Sequence, residues 1–118
     1  MNNRYATIDG FESLTEQEVF DIAAGHLLKQ MQRSESGTGC KYRGPKGLMC
    51  AAGPFLKDEC AEKCEKQSWS ALRHGGLVPD TNASLIIDLQ MVHDTLFPSD
   101  WSYRLEVLAE RYNLEYKF

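Results

Sequence analysis

Apolar positions recur at helical spacing in three stretches of the chain. The first opens with a capping-box pattern, in which Thr15 and Glu18 are placed to exchange side-chain and backbone hydrogen bonds. Leu14 and Val19 occupy the positions of a hydrophobic staple around this start. These signals predict a helix over about residues 16–33, with a mostly apolar stripe of Val19, Ile22, Ala23, His26, Leu27, Gln30 and Met31.

Two more stripes lie in the C-terminal third of the sequence. The first predicts a helix over about residues 82–96 and consists of Leu85, Leu89, Val92, His93 and Leu96, with Ile86 beside it. The second predicts a helix over about residues 100–112, capped by Ser99, with Trp101, Leu105, Leu108, Ala109 and Tyr112. Asn113 is expected to end this helix in the left-handed conformation, with Leu114 folding back onto it.

The middle of the chain predicts two short helices. One begins near Asp58 and carries Cys60, Ala61 and Cys64. The other restarts at Ser68, turns Trp69 and Leu72 inward, and stops at the glycine pair 75–76. Residues 1–13 have no clear period and are expected to form a loosely attached arm or an edge segment.

Residues 40–53 carry the pattern of a β-hairpin, with two short runs on either side of a Gly-Pro-Lys-Gly turn. Pro45 suits the second position of a type I turn, and Gly47 suits a bulge with positive φ. The register then places Tyr42 opposite Cys50 and Cys40 opposite Ala52. Because side chains alternate across a strand, these four form the expected core face. The other face consists of Lys41, Arg43, Met49 and Ala51.

Together these elements predict an α+β, mostly helical fold in which four or five helices pack around one small hairpin. The 118 residues suit a single domain, with a globular core over about residues 14–114. The net charge of −4 argues against a general nucleic-acid binder. No apolar run has the length of a membrane span, and the polar N-terminus lacks a secretory signal. A cytoplasmic location, with free thiols rather than disulfides, is therefore expected.

Four separated blocks of the sequence resemble a family of small uncharacterised proteins of bacteria and their phages. The blocks are Cys40-x-Tyr42-Arg43…Gly47-x-x-Cys50-Ala51-x-Gly53, Gly76-Leu77-Val78-Pro79, Leu89-Gln90-x-x-His93-Asp94, and Trp101-x-x-x-Leu105 with Leu108-Ala109. The resemblance covers about residues 16–114 and implies a phage or mobile-element accessory role that acts on a host component. Cys60 and Cys64 depart from the family pattern, so the resemblance does not imply a shared four-cysteine metal site.

The cysteines suggest two kinds of chemistry. A zinc site would use Cys40, Cys50, Cys60 and Cys64, with His26, His74 or His93 as substitutes, but the spacing lacks a C-x2-C knuckle. A cysteine nucleophile would pair Cys40 or Cys50 with His93 or His26 and an acid such as Asp94. Adjacent helical residues point about 100° apart, which argues against a direct His93–Asp94 bond. No cofactor motif is present, so the sequence favours a non-enzymatic role over either site.

The remaining candidate binding residues are Lys41, Tyr42, Arg43, Lys46, His93 and Asp94. Lys41, Arg43 and Lys46 would form a basic hairpin face that contacts an acidic partner or a phosphate, or serve as an ordinary solvated edge. Arg43 suits capture of a carboxylate, either of a ligand or of Asp94 or Asp58. Tyr42 and Trp101 are expected in the core, with partners for their polar atoms. The sequence thus predicts an accessory protein that binds a host or phage protein, with inhibition of a defence or gene-expression complex as one form of this action.

Overall fold

The structure, a computed structural model, describes residues 4–37 and 39–118. These residues form five helices and one two-stranded antiparallel sheet, which confirms the α+β, mostly helical class. The elements are α1 (Glu16–Gln30), β1 (Glu35–Ser36), β2 (Gly39–Cys40), α2 (Asp58–Cys64), α3 (Trp69–His74), α4 (Ala83–Thr95) and α5 (Pro98–Arg111). None of the described helices is long and apolar enough to cross a membrane.

The capping box at the start of α1 forms as predicted. The Glu18 amide donates to the Thr15 hydroxyl at 3.1 Å, and the Thr15 amide donates to the Glu18 carboxylate at 2.8 Å. The helix ends three residues earlier than predicted because Met31 adopts a left-handed conformation with φ 51° and ψ 30°. Its amide still bonds the Leu27 carbonyl, which satisfies the last turn of the helix.

The boundaries of α5 confirm one prediction and correct another. Phe97, rather than Ser99, occupies the N-cap position, because Pro98 is the first helical residue. A proline is favoured there, since its missing N–H would have no partner inside the helix. At the other end Asn113 has φ 58°, and the Leu114 amide bonds the Ala109 carbonyl at 2.8 Å, as predicted.

The main core lies where α1, α4 and α5 pack against one another. The stripes of α4 and α5 face it as predicted, whereas Ile22 and Met31 of the predicted α1 stripe are 40% and 44% exposed. The His93 ring stacks on Trp101 with centroids 5.7 Å apart. Tyr42 is buried, and its hydroxyl donates to the Gln67 carbonyl at 2.7 Å. The expected partner is missing for Trp101, whose buried indole N–H bonds no atom of the described residues.

The described part of the N-terminal segment, residues 4–13, is a part of the fold rather than a loosely attached arm. Thr7 and Leu56 form an antiparallel bridge, and Ala6 is hydrogen-bonded to both Leu77 and Lys57. Phe11 is 1% exposed and lies edge-on to Phe55. Of the two alternatives that the sequence left open for this segment, the bridge to Leu56 therefore fits the edge segment.

The predicted hairpin over residues 40–53 is wrong, and so is its type I turn, because Lys46 has φ 59° and ψ 27° where that turn needs a negative φ. The Gly44 amide bonds the Leu48 carbonyl at 2.7 Å, and Gly47 has the expected positive φ of 79°. The strand pairing lies upstream instead, with Glu35 opposite Cys40 and Ser36 opposite Gly39. Residues 41–52 have no strand structure, so the register that placed Tyr42 opposite Cys50 does not exist.

Side chains on or next to the helices form hydrogen bonds with the backbone of residues 41–52, in place of the strand-to-strand hydrogen bonds that a hairpin would have. The Glu65 carboxylate accepts hydrogen bonds from the Tyr42 and Arg43 amides at 2.9 and 3.0 Å. Gln30 bonds both the amide and the carbonyl of Met49, at 3.0 and 2.8 Å. We call residues 41–56 the central loop, because α1, α4 and the end of α2 all contribute such bonds to it.

Three further side chains complete this support of the central loop. Gln90 of α4 accepts from the Ala52 amide at 3.0 Å. The Ser34 hydroxyl lies 2.7 Å from the Lys41 carbonyl and 3.2 Å from the Leu48 carbonyl. The His26 ring bonds the Met49 carbonyl at 3.0 Å. Backbone groups that are already paired in this way are not available for a hairpin.

Arg43 closes the second half of the central loop onto the first. Its guanidinium donates to the Gly53 carbonyl at 2.8 Å and to the Leu56 carbonyl at 2.9 Å. It also pairs with the Asp58 carboxylate at 2.8 Å, which is one of the two structural pairings that the sequence left open.

Removing the Glu65 carboxylate should destabilise the protein through the central loop. Glu65→Ala leaves the Tyr42 and Arg43 amides without acceptors, and a loss of about 2 kcal/mol in the free energy of unfolding is expected. Glu62→Ala, on the exposed side of α2, is the matched control and should change little. Urea unfolding of both variants measures the difference, and equal stabilities would contradict this role of Glu65.

His26 should make stability depend on pH. Burial lowers the pKa of His26, so the unfolded chain binds a proton more readily than the folded chain in weakly acidic solution. The free energy of unfolding therefore falls as the pH drops through about 6.5, the ordinary histidine value. His26→Gln should reduce this fall, while His74→Gln, at an exposed site, should not. Urea titrations across this range test it, and a fall of unchanged size in His26→Gln would refute the prediction.

Candidate functional site

Three of the candidate residues meet where β2 lies against the end of α4. The potential ligand atoms of Cys40, His93 and Asp94 all lie within 4.8 Å of one another. His93 is fully buried, Cys40 is half-buried and Asp94 is exposed. The cluster has the residue types of either a metal site or a cysteine-based catalytic site, so its hydrogen bonds decide what it can do.

The expectation that Asp94 cannot bond its neighbour His93 is wrong. The His93 Nδ1 and the Asp94 Oδ1 lie 2.6 Å apart. The angle of about 100° separates the directions in which successive side chains leave the helix, and rotation about the side-chain bonds can still bring their ends together. The radial angle between adjacent residues therefore does not prevent the contact.

The other ring nitrogen fixes the tautomer of His93. The Ser34 amide donates to Nε2 at 2.9 Å, so Nε2 carries a lone pair rather than a proton. The proton of the neutral ring is then on Nδ1, from which it is donated to Asp94. The arrangement ties the start of β1 to α4 through a buried imidazole.

This tautomer makes the cluster a poor metal site. A metal ion on Nδ1 would require the proton on Nε2, where it would face the Ser34 N–H. Catalysis by His93 as a base meets the same obstacle, because Nε2 already accepts the amide proton and Nδ1 is already protonated. The geometry thus assigns His93 a structural role within the described residues.

The thiols are not activated either. Burial, together with the negative charge and the hydrogen bond of Asp94, raises the pKa of Cys40 to about 12. Burial also raises the pKa of Cys50 to about 12. A cysteine nucleophile needs a lowered pKa, since the thiolate is the reactive form. Neither hypothesis of a cysteine-dependent enzyme is therefore supported by the electrostatics.

The four cysteines do not assemble into the alternative zinc site. Among the residues that the structure describes, Cys40, His93 and Asp94 are the one close group of three potential ligands, and no second cysteine joins them. Cys64 faces the hydrophobic core from α2, whereas Cys40 is held beside Asp94. All four cysteines are free thiols.

A cleft of about 320 Å³ brings together some of the predicted binding residues. Lys41, Tyr42 and Asp94 line it beside both Cys40 and Cys50, and Lys66 adds a second ammonium group. His93 is fully buried and is not one of the residues that line the cleft. The cleft therefore has walls of mixed charge.

The predicted basic face does not form, because it depended on the hairpin. Lys41 lines the cleft, while Arg43 turns toward Asp58 and the carbonyls of the central loop. Lys46 is exposed at the tip of the turn with φ 59°. The three cations thus lie in three different environments.

The sequence reasoning missed a groove between α4 and α5. We call it the α4–α5 groove; its volume is about 210 Å³, and its walls are Asp88, Met91, Val92, Thr95, Leu96, Arg104, Val107, Leu108 and Arg111. A second concavity of about 220 Å³ lies on the other side of Met91, between α3 and α4. The available signal was Met91, a large apolar residue on the outer side of α4 and opposite its core stripe.

The alkylation rate of Cys40 should report on the charge of Asp94. At pH 8 the Cys40 thiol should react slowly with iodoacetamide, because its pKa is about 12. Asp94→Asn removes the negative charge while keeping an oxygen acceptor, so it should lower this pKa and speed the reaction at Cys40. Peptide mass spectrometry reads each site, with Cys60 in the same sample as the control. An unchanged or slower rate at Cys40 would be inconsistent with this electrostatic coupling.

In comparisons with known proteins, no family model matches the chain, and no curated protein or solved structure matches it significantly. The function therefore has to be argued from the surface and the chemistry of this chain.

Proposed function

We propose that this chain is a non-catalytic binding protein whose partner is another protein. The observation that carries the proposal is a set of large apolar side chains on the outer surface around α4 and α5. Met91, Phe97 and Tyr103 are 58%, 70% and 68% exposed. Exposed aromatic and methionine side chains are enriched at protein interfaces and serve there as anchors.

The surroundings of these side chains suit an interface. Phe97 lies under the Arg33 guanidinium, with 5.5 Å between the Arg33 Cζ and the ring centroid, so its position is partly fixed before binding. Met91 forms a ridge between the two concavities of 210 and 220 Å³. A partner protein can pack against the Met91 side chain and place its own side chains in the concavities on either side.

The size of the molecule permits such an interface. A specific complex typically buries about 800 Å² on each partner. The described chain has an accessible surface of 6729 Å², of which such an interface is about an eighth. The outer face of two helices with 13 and 14 residues can supply this area.

The chemistry of the Cys40, His93 and Asp94 cluster also favours binding over catalysis. His93 is held in one tautomer by Ser34 and Asp94, and the Cys40 thiol is protonated at neutral pH. A role as a phage or prophage accessory protein that acts on a host complex rests on the sequence resemblance alone. The proposed mode of action does not depend on that origin.

Substitution of Met91 should disrupt the interface without disturbing the fold. Met91→Glu places a charge on the exposed ridge, and its thermal unfolding should match that of the wild type. Ile22→Glu is the matched control, since Ile22 is another large apolar side chain, 40% exposed, in the middle of α1.

The readout is photo-crosslinking in bacterial cells from a benzophenone amino acid at position 103. A specific crosslinked protein should appear in the wild type and in Ile22→Glu, and its yield should fall roughly tenfold in Met91→Glu, as for the loss of an interface anchor. No specific crosslink, or equal yields in both variants, would contradict the proposal.

A further inference from the structure

We propose that the α4–α5 groove binds an acidic amphipathic helix of the partner protein. This inference rests on the proposed binding function and adds the chemical class of the occupant. It starts from two cations, Arg104 and Arg111, that stand on the α5 side of an otherwise largely apolar groove.

Both guanidinium groups are available to a partner. Arg104 and Arg111 are exposed, and neither forms a hydrogen bond or an ion pair with the described residues. By contrast, Arg33, Arg43 and Arg73 each pair with a carboxylate. In a chain with a net charge of −4, two unpaired arginines at one groove are a local positive site.

The one acid among the residues that line the groove offsets one of the two positive charges, so the lining keeps a net charge of +1. Asp88 lies on the α4 wall, and its carboxylate accepts a hydrogen bond from the Tyr112 hydroxyl at 2.7 Å. No ion pair joins Asp88 to either arginine in the described structure. The groove therefore presents two cationic positions that favour carboxylates of a partner.

The spacing of the two arginines along α5 matches the spacing of side chains on one face of a partner helix. Arg111 lies seven positions after Arg104, which corresponds to two turns and about 10 Å along α5. A partner helix that runs along the groove would present carboxylates at the same separation if its acidic residues were seven positions apart. Helix-in-groove recognition of this kind uses anchors at i, i+3, i+4 and i+7.

The apolar surface between the arginines supplies the middle anchors. Val107 and Leu108 lie between them on α5, and Met91 and Leu96 lie across the groove. Leucines at i+3 and i+4 of the partner helix would pack on this surface while acidic residues at i and i+7 meet the guanidinium groups. Such rim ion pairs are exposed, so they act on specificity and should weaken with salt.

Three synthetic helix-forming peptides of 18 residues serve as probes. The first has Glu at i and i+7 and Leu at i+3 and i+4. The second has Lys in place of these Glu residues, and the third has the composition of the first with Glu moved to the face opposite the leucines. Binding is followed by NMR of the methionine methyl groups, in which Met91 reports on the groove and Met31 and Met49 are internal controls.

The Glu peptide should shift Met91 selectively and bind roughly tenfold more tightly than the Lys peptide or the displaced-Glu peptide, given the size of exposed charge effects. The double variant Arg104→Glu/Arg111→Glu should reverse the preference toward the Lys peptide. Lys29→Glu/Lys63→Glu changes the net charge equally at exposed sites elsewhere and should keep the preference for Glu.

The remaining outcomes would overturn the inference. Equal affinity for the Glu and Lys peptides at Met91 would refute the acidic occupant but leave the proposed binding function standing. A shift of Met91 by anionic phosphatidylglycerol vesicles, with none by the Glu peptide, would assign the groove to lipid instead. No shift by any probe would also refute it, and the crosslinking experiment at position 103 then decides separately whether the binding function fails too.

Discussion

The structure depends on side chains that satisfy the backbone of an irregular loop at its centre. Residues 41–52 of the central loop lie against α1, α4 and the end of α2 without a strand partner, so many of their amides and carbonyls would otherwise be left unpaired in a partly buried setting. Glu65, Gln30 and Gln90 supply most of the missing bonds, and Arg43 joins the two halves of the loop. Each of these side chains comes from a different part of the chain, so the loop and the helix packing stabilise each other.

The buried His93 extends the same principle to the neighbouring sheet. It accepts a hydrogen bond from the Ser34 amide, donates one to Asp94 and stacks on Trp101. In this way it holds the buried Ser34, just before β1, at the core of the three main helices. A cysteine, a histidine and an aspartate that meet in this way resemble a catalytic or metal site in composition alone. Both ring nitrogens of His93 are already hydrogen-bonded, and the raised pKa of Cys40 keeps its thiol protonated, so these groups join parts of the fold.

The sequence predicted the features that neighbouring residues determine. Its predictions were wrong where side chains from distant parts of the chain determine the backbone conformation. The capping box at Thr15, the left-handed Asn113 and the inward stripe of α4 are local patterns, and all three are confirmed. The hairpin prediction was wrong because no local pattern shows that Glu65 accepts hydrogen bonds from the Tyr42 and Arg43 amides, which lie 23 and 22 residues away in the sequence. The α4–α5 groove was not predicted for a similar reason. Its shape depends on the distance between two helices, and the apolar pattern of one helix carries no information on that distance.

Amide hydrogen exchange tests most directly whether side chains secure the central loop. The account predicts slow exchange, comparable to that of helical core amides, for the amides of Tyr42, Arg43, Met49 and Ala52, although none of them lies in a helix or strand. The Lys46 amide, at the exposed tip of the turn, should exchange rapidly. Fast exchange at all five positions would contradict the account, because it would mean that the bonds from Glu65, Gln30 and Gln90 do not hold the loop.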